Sequence, residues 1–412
     1  MNAAVQAFEV DALPVLLKSN PAHEVVAVRL YVRGGAGNLD AWTAGAEIFY
    51  ARTARRGTRR FPKADLNAQL AGLGAEVGFT AGDDYTVFHL RTLRRHFDTA
   101  WQLYTDIVLD PVLQPEDLEV VRQQMLLEIR QLHDNPDSAL GERARRHCYA
   151  GHPYAPDPHG TELAVQQLDA AALRRHMQRV LVRRNLLLAV VGDVQRADLE
   201  AGIGATLARL PAGDAPQPLA PPLQFESGSV GIVARDLPTQ YVLGQFAAPG
   251  LGHADYEATL VAMSVLRDRL FEEVRTKRNL SYAPSASLGH SAANLGAVYV
   301  TAVDPVAALA VMRDEMRRLQ QEPVDPKELA DKIRVFVTRY WMQNETNQAQ
   351  AGFLGAYAIL AGGWSRSLEF VARLEATTPA DVQRAAQTCL RRIQWTYLGD
   401  SRHADARALV DP

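Results

Sequence analysis

The chain has 412 residues, 47% of them hydrophobic and 22% charged, with a formal net charge of −3. That length suits two domains of roughly 200 residues, each able to bury a core, and the near-balance of charge offers no general basic field for nucleic acid or anionic lipid. The two cysteines, Cys148 and Cys389, sit in opposite halves and argue against a disulfide framework or a cysteine-based metal site.

No apolar run approaches the roughly 20 residues that span a bilayer. Residues 1–7 show neither a basic start nor an apolar stretch. A soluble protein is expected, periplasmic ahead of cytoplasmic if a leader has been removed.

In chain order, residues 24–32 alternate and are β-branched, which predicts a strand; helical spacing follows over 44–56 and 63–73. Residues 75–80 and 85–92 read as a strand pair about Gly82-Asp83-Asp84. Helices are expected over 97–109, 115–133, 138–149 and 170–182, then a short apolar strand ending in Gly192-Asp193. The second half offers strands near 230–234, 241–247, 281–288 and 297–302. Its helices fall over 256–274, 306–320, 326–343, 348–360 and 379–391, before a strand ending in Gly399-Asp400. Gly192 and Gly399 lie 207 residues apart, and each ends a helix–strand–Gly-Asp sequence, so the halves read as two copies of one unit. The Pro-rich stretch between them predicts an extended linker. The expected division is a domain over 1–210, a linker over 211–227 and a second domain over 228–412. Strands followed by blocks of helices predict an α+β fold, each domain an antiparallel sheet with helices packed on one face.

Arg275-Thr276-Lys277-Arg278-Asn279-Leu280-Ser281-Tyr282 closes the amphipathic run 266–274. This segment resembles the R/Y element of the insulinase-like, pitrilysin-type (M16) zinc peptidases. Leu13-Pro14-Val15-Leu16-Leu17-Lys18, Arg29 to Gly35, Gly74-Ala75-Glu76-Val77 with Asp84-Tyr85-Thr86, and His152-Pro153-Tyr154 with Gly160-Thr161 resemble further phrases of the family, in order. The resemblance implies two homologous domains forming one half of a clamshell. It also implies that Arg275 and Tyr282 face the cleavage chamber, with Arg278 as the alternative cation.

Active members carry an HxxEH helix whose two histidines, one turn apart, hold zinc while the glutamate activates water. Anchored on Gly57-Thr58, those positions are Ile48, Phe49, Tyr50, Ala51 and Arg52. Ile48 and Arg52 stand for the histidines and Ala51 for the base. Glu128 matches the third ligand, although its plainer reading is a partner for an arginine near the surface. His147 and His152 straddle a helix end, where a loop role outweighs ligation. No metal is expected on this chain. Arg52, Arg55, Arg56, Arg59 and Arg60 would share a face if the helix ran on through Gly57; they read either as a solvated face or as a cationic lining of the chamber or docking surface.

The expectation is a zinc-less subunit of a heterodimeric, M16B-type bacterial metallopeptidase, not a peptidase alone. It would bind peptide and present Arg275 and Tyr282, with Arg278 near, to the scissile carbonyl at zinc held by a partner bearing HxxEH. Self-association is the other pairing, and a non-catalytic peptide-binding or assembly scaffold of the same fold is the alternative function.

Overall fold

A computed structural model describes residues 4–403. The first sheet contains β1 (Val5–Val10), β2 (Leu13–Ser19), β3 (Val25–Arg33), β4 (Glu76–Ala81), β5 (Tyr85–Leu93) and β6 (Leu186–Gly192), in the spatial order β1-β2-β6-β3-β5-β4. The second contains β7 (Ser229–Ala234), β8 (Gln240–Ala247), β9 (Ser285–Leu288), β10 (Leu295–Ala302) and β11 (Gln394–Gly399), in the order β7-β11-β8-β10-β9. Without β1 the two orders are the same. In each, the last strand in sequence slots between the first two and is parallel to one of them, β6 to β2 and β11 to β7. The remaining pairs are antiparallel, so the sheets are mixed where the sequence predicted antiparallel pairing throughout.

The first domain carries α1 (Ala46–Ala54), α2 (Lys63–Gly72), α3 (Phe97–Leu109), α4 (Pro115–Asp134), α5 (Pro136–Cys148), α6 (Glu162–Gln167), α7 (Ala170–Val180) and α8 (Arg196–Ala205). The second carries α9 (Tyr256–Leu270), α10 (Pro305–Gln321), α11 (Pro326–Gln343), α12 (Asn347–Leu360), α13 (Phe370–Glu375) and α14 (Pro379–Cys389). Punctuation sets the boundaries. Pro136 cannot extend α4, and the Asn135 side chain accepts the Ser138 amide at 3.0 Å to start α5. Thr378 and Asp381 form a reciprocal capping box on α14. The expected strand over 281–288 is shorter, because Pro284 has no N–H for a ladder and only residues 285–288 pair. The β1–β2 hairpin was not anticipated. Its two-residue turn, Asp11-Ala12, has both φ positive, at 48° and 67°, without the glycine that usually marks such a turn.

Each domain lays its own helices on one face of its sheet, and the other face is covered by one helix from the other domain. On β6, Leu186, Leu188 and Val190 enter the first-domain core, while Leu187, Ala189 and Val191 meet Leu354, Tyr357 and Leu360 of α12. This explains why β6 is apolar throughout: both its faces are dry. The Tyr31 hydroxyl on β3 donates to the carbonyls of Ala351 and Gly352, at 3.3 and 3.2 Å. In return, Ala139 and Leu140 of α5 pack on Leu398 of β11, and His147 at its end lies 2.7 Å from Ser229 Oγ. A carboxylate also bridges the domains. Buried Asp84 accepts from the Tyr154 hydroxyl and from the Ala292 amide, the latter at 3.3 Å. Burial pushes its carboxyl up to about 6.

Candidate functional site

Helix α1 starts from Gly45 in the left-handed region at φ 82° and ends short of Gly57. Phe49 and Ala54 anchor it in the core. Ile48 and Arg52, one turn apart, face α4 across a cleft of about 390 Å³ that Glu128 also lines. Arg52 grips Glu128 as a fork: Nη1 donates to Oε1 and Nη2 meets Oε2, each at 2.8 Å. Ala51 is buried, with 1% exposure. The motif positions assigned by resemblance are thus brought together, and Glu128 takes the arginine partner that its plainer reading gave it.

The donor set does not fit zinc. Tetrahedral zinc needs lone-pair donors from three or four side chains. Here one position is an aliphatic chain, one is a guanidinium, and the single carboxylate is already engaged. Among the described residues no three His, Cys, Asp or Glu are placed to hold a metal ion. His147, in the last turn of α5, bonds to Ser229 of β7, whereas His152 Nε2 lies 2.9 Å from the Pro221 carbonyl, so only His152 takes the expected loop role.

The arginine run does not form one helical face, since α1 stops at Ala54. Arg56 pairs with Asp117 at 2.5 Å and Arg60 with Asp106 at 2.6 Å. With Arg52 on Glu128, three of the five guanidinium charges are met by carboxylates, which reduces the expected cationic lining to exposed Arg55 and Arg59. Further along the cleft wall, Arg145 pairs with Asp83 at 2.7 Å and lies over the Tyr149 ring.

The Arg/Tyr element lies between β8 and β9, the same topological position that α1 occupies between β3 and β4. Helix α9 loosens over Phe271–Thr276 into a π-turn, with the Lys277 amide reaching back five residues to Glu272 at 2.9 Å. Such wide turns recur at functional sites. Asn279, at φ 51°, then reverses the chain and carries Tyr282 back over the helix end. The Arg275 guanidinium carbon sits 4.2 Å from the centre of the Tyr282 ring and 4.7 Å from that of Phe271, between two aromatic faces. Tyr282 is 77% exposed. Arg278 is turned away, with Nη1 donating to the Glu273 carbonyl at 2.9 Å and pairing with its carboxylate at 2.5 Å. Sequence reasoning missed Phe271; its place four residues before Arg275 on a helix was the available signal.

Two family models match. One, described as Insulinase (Peptidase family M16), matches residues 14–158; the other, Peptidase M16 inactive domain, matches residues 167–336. The chain belongs to the M16 peptidase family. The chain is 24% identical to an uncharacterized zinc protease of Streptomyces coelicolor over 89% of this chain and 83% of that protein. It is 26% identical to an uncharacterized zinc protease of Mycobacterium tuberculosis, over 67% of this chain and 65% of that protein. It is also 24% identical to cytochrome b-c1 complex subunit 1 of Bos taurus, over 54% of this chain and 47% of that one. Its fold matches the crystal structure of a peptidase M16 inactive domain from Pseudomonas fluorescens, with TM-score 0.88, 21% identity, and coverage of 96% of this chain and 98% of that one. The two α+β domains have the M16 clamshell architecture, and the family's metal-binding motif is not intact. No helix among the described residues is long and apolar enough to cross a membrane.

Proposed function

We propose that this chain is the zinc-less subunit of a two-chain M16 peptidase. It binds extended peptide and presents Arg275 and Tyr282 to the scissile carbonyl, while a partner chain bearing HxxEH holds the metal. The observation that carries the reading is the Arg275–Tyr282 stack: a fixed cation with its guanidinium 4.2 Å from a tyrosine ring that is itself 77% exposed. An exposed aromatic held by an arginine does little for stability, but it is a pre-positioned phenol donor. In amide hydrolysis charge develops on the carbonyl oxygen, and a donor fixed where that charge forms lowers the barrier. Tyr282 supplies the O–H; Arg275 holds the ring and adds positive potential. The edge strands β4 and β9 each pair on one side only, leaving main-chain groups to which a peptide can add as a strand without regard to its sequence. No hydrolytic step runs through this chain's own first-domain cleft, where Arg52 occupies Glu128.

The test is co-purification of this chain with its zinc-bearing partner, then peptide cleavage with and without a chelator. The pair should cleave, each chain alone should not, and Tyr282→Phe should lower turnover by about 10²–10³ with assembly intact. Unchanged turnover would remove Tyr282 from the chemistry.

A second reading, a non-catalytic assembly scaffold, is favoured by one observation: the Arg52–Glu128 fork closes the metal position with a structural ion pair. It is in keeping with the likeness to the bovine b-c1 complex subunit. It predicts a stable complex whose activity ignores both Arg275 and Tyr282.

A further inference from the structure

The second domain contains its own version of the first-domain cleft. A single shift of 211 residues carries Met125, Glu128, Gly141 and Glu142, all lining the first cleft, onto Phe336, Arg339, Gly352 and Phe353, all lining the second. A shift of 208 carries Ile48 and Arg52 of α1 onto Tyr256 and Leu260 of α9. The duplication has therefore reproduced the hollow while reversing its chemistry. The first cleft mixes carboxylates with cations. The second, of about 590 Å³, is lined by no carboxylate, by Arg29, Arg339 and His290, and by seven aromatic side chains. Phe353 is at the centre of the aromatic group, with ring centroids 5.3 Å from Tyr340, 4.7 Å from Tyr357 and 5.8 Å from Phe370. The buried carboxylate near Tyr357, Glu257, is paired with Arg373 at 2.7 Å and does not cancel the cationic rim.

We propose that this cleft binds an apolar monocarboxylate, with its hydrocarbon or aromatic body against the rings and its carboxylate on Arg339, assisted by Arg29. The volume is that of a small-molecule site, and the arrangement of an apolar interior with a few convergent polar groups is how such sites fix orientation. A guanidinium matches a carboxylate in shape and charge, and the rings offer faces for an apolar chain. A neutral ligand would leave the cationic rim unused, and a cation would be repelled by it. The same chemistry comes from two sources: a free acid, or the C-terminal residue of a peptide.

The experiment is calorimetric titration of the purified chain with 4-phenylbutyrate and its amide, decanoate, and N-acetyl-Ala-Ala-Phe as free acid and as amide. The acids should bind saturably at one site and the amides about tenfold more weakly. Arg339→Gln, at an exposed position that spares folding, should bring acid and amide together. Ala356→Phe should fill the cleft and abolish both; its melting temperature reports whether it is folded. Binding of phenylbutyrate and decanoate but not the tripeptide identifies a free acid as the source, and tighter binding of the tripeptide acid identifies a chain end. Three results would overturn the assignment: no acid binds at millimolar concentration, acid and amide bind alike, or acid binding survives Arg339→Gln. Tyr282→Phe should leave the titration unchanged, so the peptidase reading and this one fail separately.

Discussion

If Ile48, Arg52 and Glu128 are the remains of one metal site, as the resemblance implies, that site can be rebuilt, and the structure sets how much that should cost and return. The perturbation is Ile48→His with Arg52→His, which places two imidazoles one turn apart on α1 facing Glu128. Ile48 is only 7% exposed, so its loss removes about 1.5–3 kcal/mol of burial. The Arg52–Glu128 pair is worth less, about 0.5–1 kcal/mol, because its side chains are 26% and 52% exposed and screened by water. The metal-free variant should therefore melt about 5–15 °C below the parent. Released from Arg52, Glu128 becomes a third ligand. Zinc at a hundred times its dissociation constant should return about 2.7 kcal/mol, or a rise of about 5–10 °C. The assay is thermal unfolding with zinc and with chelator. Ile48→His alone should show no zinc-dependent rise and no peptidase activity, since Arg52 still repels a cation and occupies Glu128. The double variant should bind metal without cleaving, because Ala51, at the position the resemblance gives to the base, has no group to activate water. If zinc gives no rise, or a rise that survives Glu128→Ala, then Ile48, Arg52 and Glu128 are not the remains of one metal site.

Burial raises the Asp84 carboxyl from about 3.8 to about 6, so the folded state holds a proton that the unfolded chain has already released. Native stability should thus be lost as pH rises from about 4 through 6 and be flat above, by about 3 kcal/mol if the whole shift is expressed. Denaturant titrations of the parent and Asp84→Asn at pH 4.5 and 7.5 measure this, and a stability difference between the two that does not change with pH would show that Asp84 is not the group. At Gly355 an added Cβ would lie 2.2 Å from the Tyr31 ring. Gly355→Ala should therefore destabilise by about 1–3 kcal/mol despite the better helix propensity of alanine. In a Tyr31→Ala background the same change should be neutral or favourable, and equal penalties in both backgrounds would show that α12 does not seat on Tyr31 as described.

Much of the candidate site was legible because helical spacing is a local rule. Positions 48 and 52 must share a face wherever α1 lies, and Gly57 with Thr58 located them. The pairing of Arg275 with Tyr282 was inferred by resemblance. Arg275 was likewise placed ahead of Arg278 by resemblance, whereas the π-turn that seats it on the Tyr282 ring is a one-residue change in helix register that no side-chain pattern in 266–276 announces. Glu128 showed the opposite balance: its position was readable, but its engagement by Arg52 depends on how α4 crosses α1. The arginine run was left open for a related reason. Its spacing makes one face only if the helix runs on through Gly57; α1 stops at Ala54, and residues 55–60 follow a turn whose carboxylate partners come from α3 and α4.

The repeat, the order of helices and strands, and the loss of a metal-ligating pair were all written in the chain, since periodicity, proline and glycine punctuation and side-chain chemistry act over a few residues. The insertion of β6 and β11 between earlier strands, and the exchange of α5 and α12 across the two sheets, were decided only in three dimensions. A strand such as Leu186–Gly192 announces that both its faces will be dry. It does not say which helix, more than 150 residues away, will dry the second one, because any apolar face of the right shape satisfies the same hydrophobic demand.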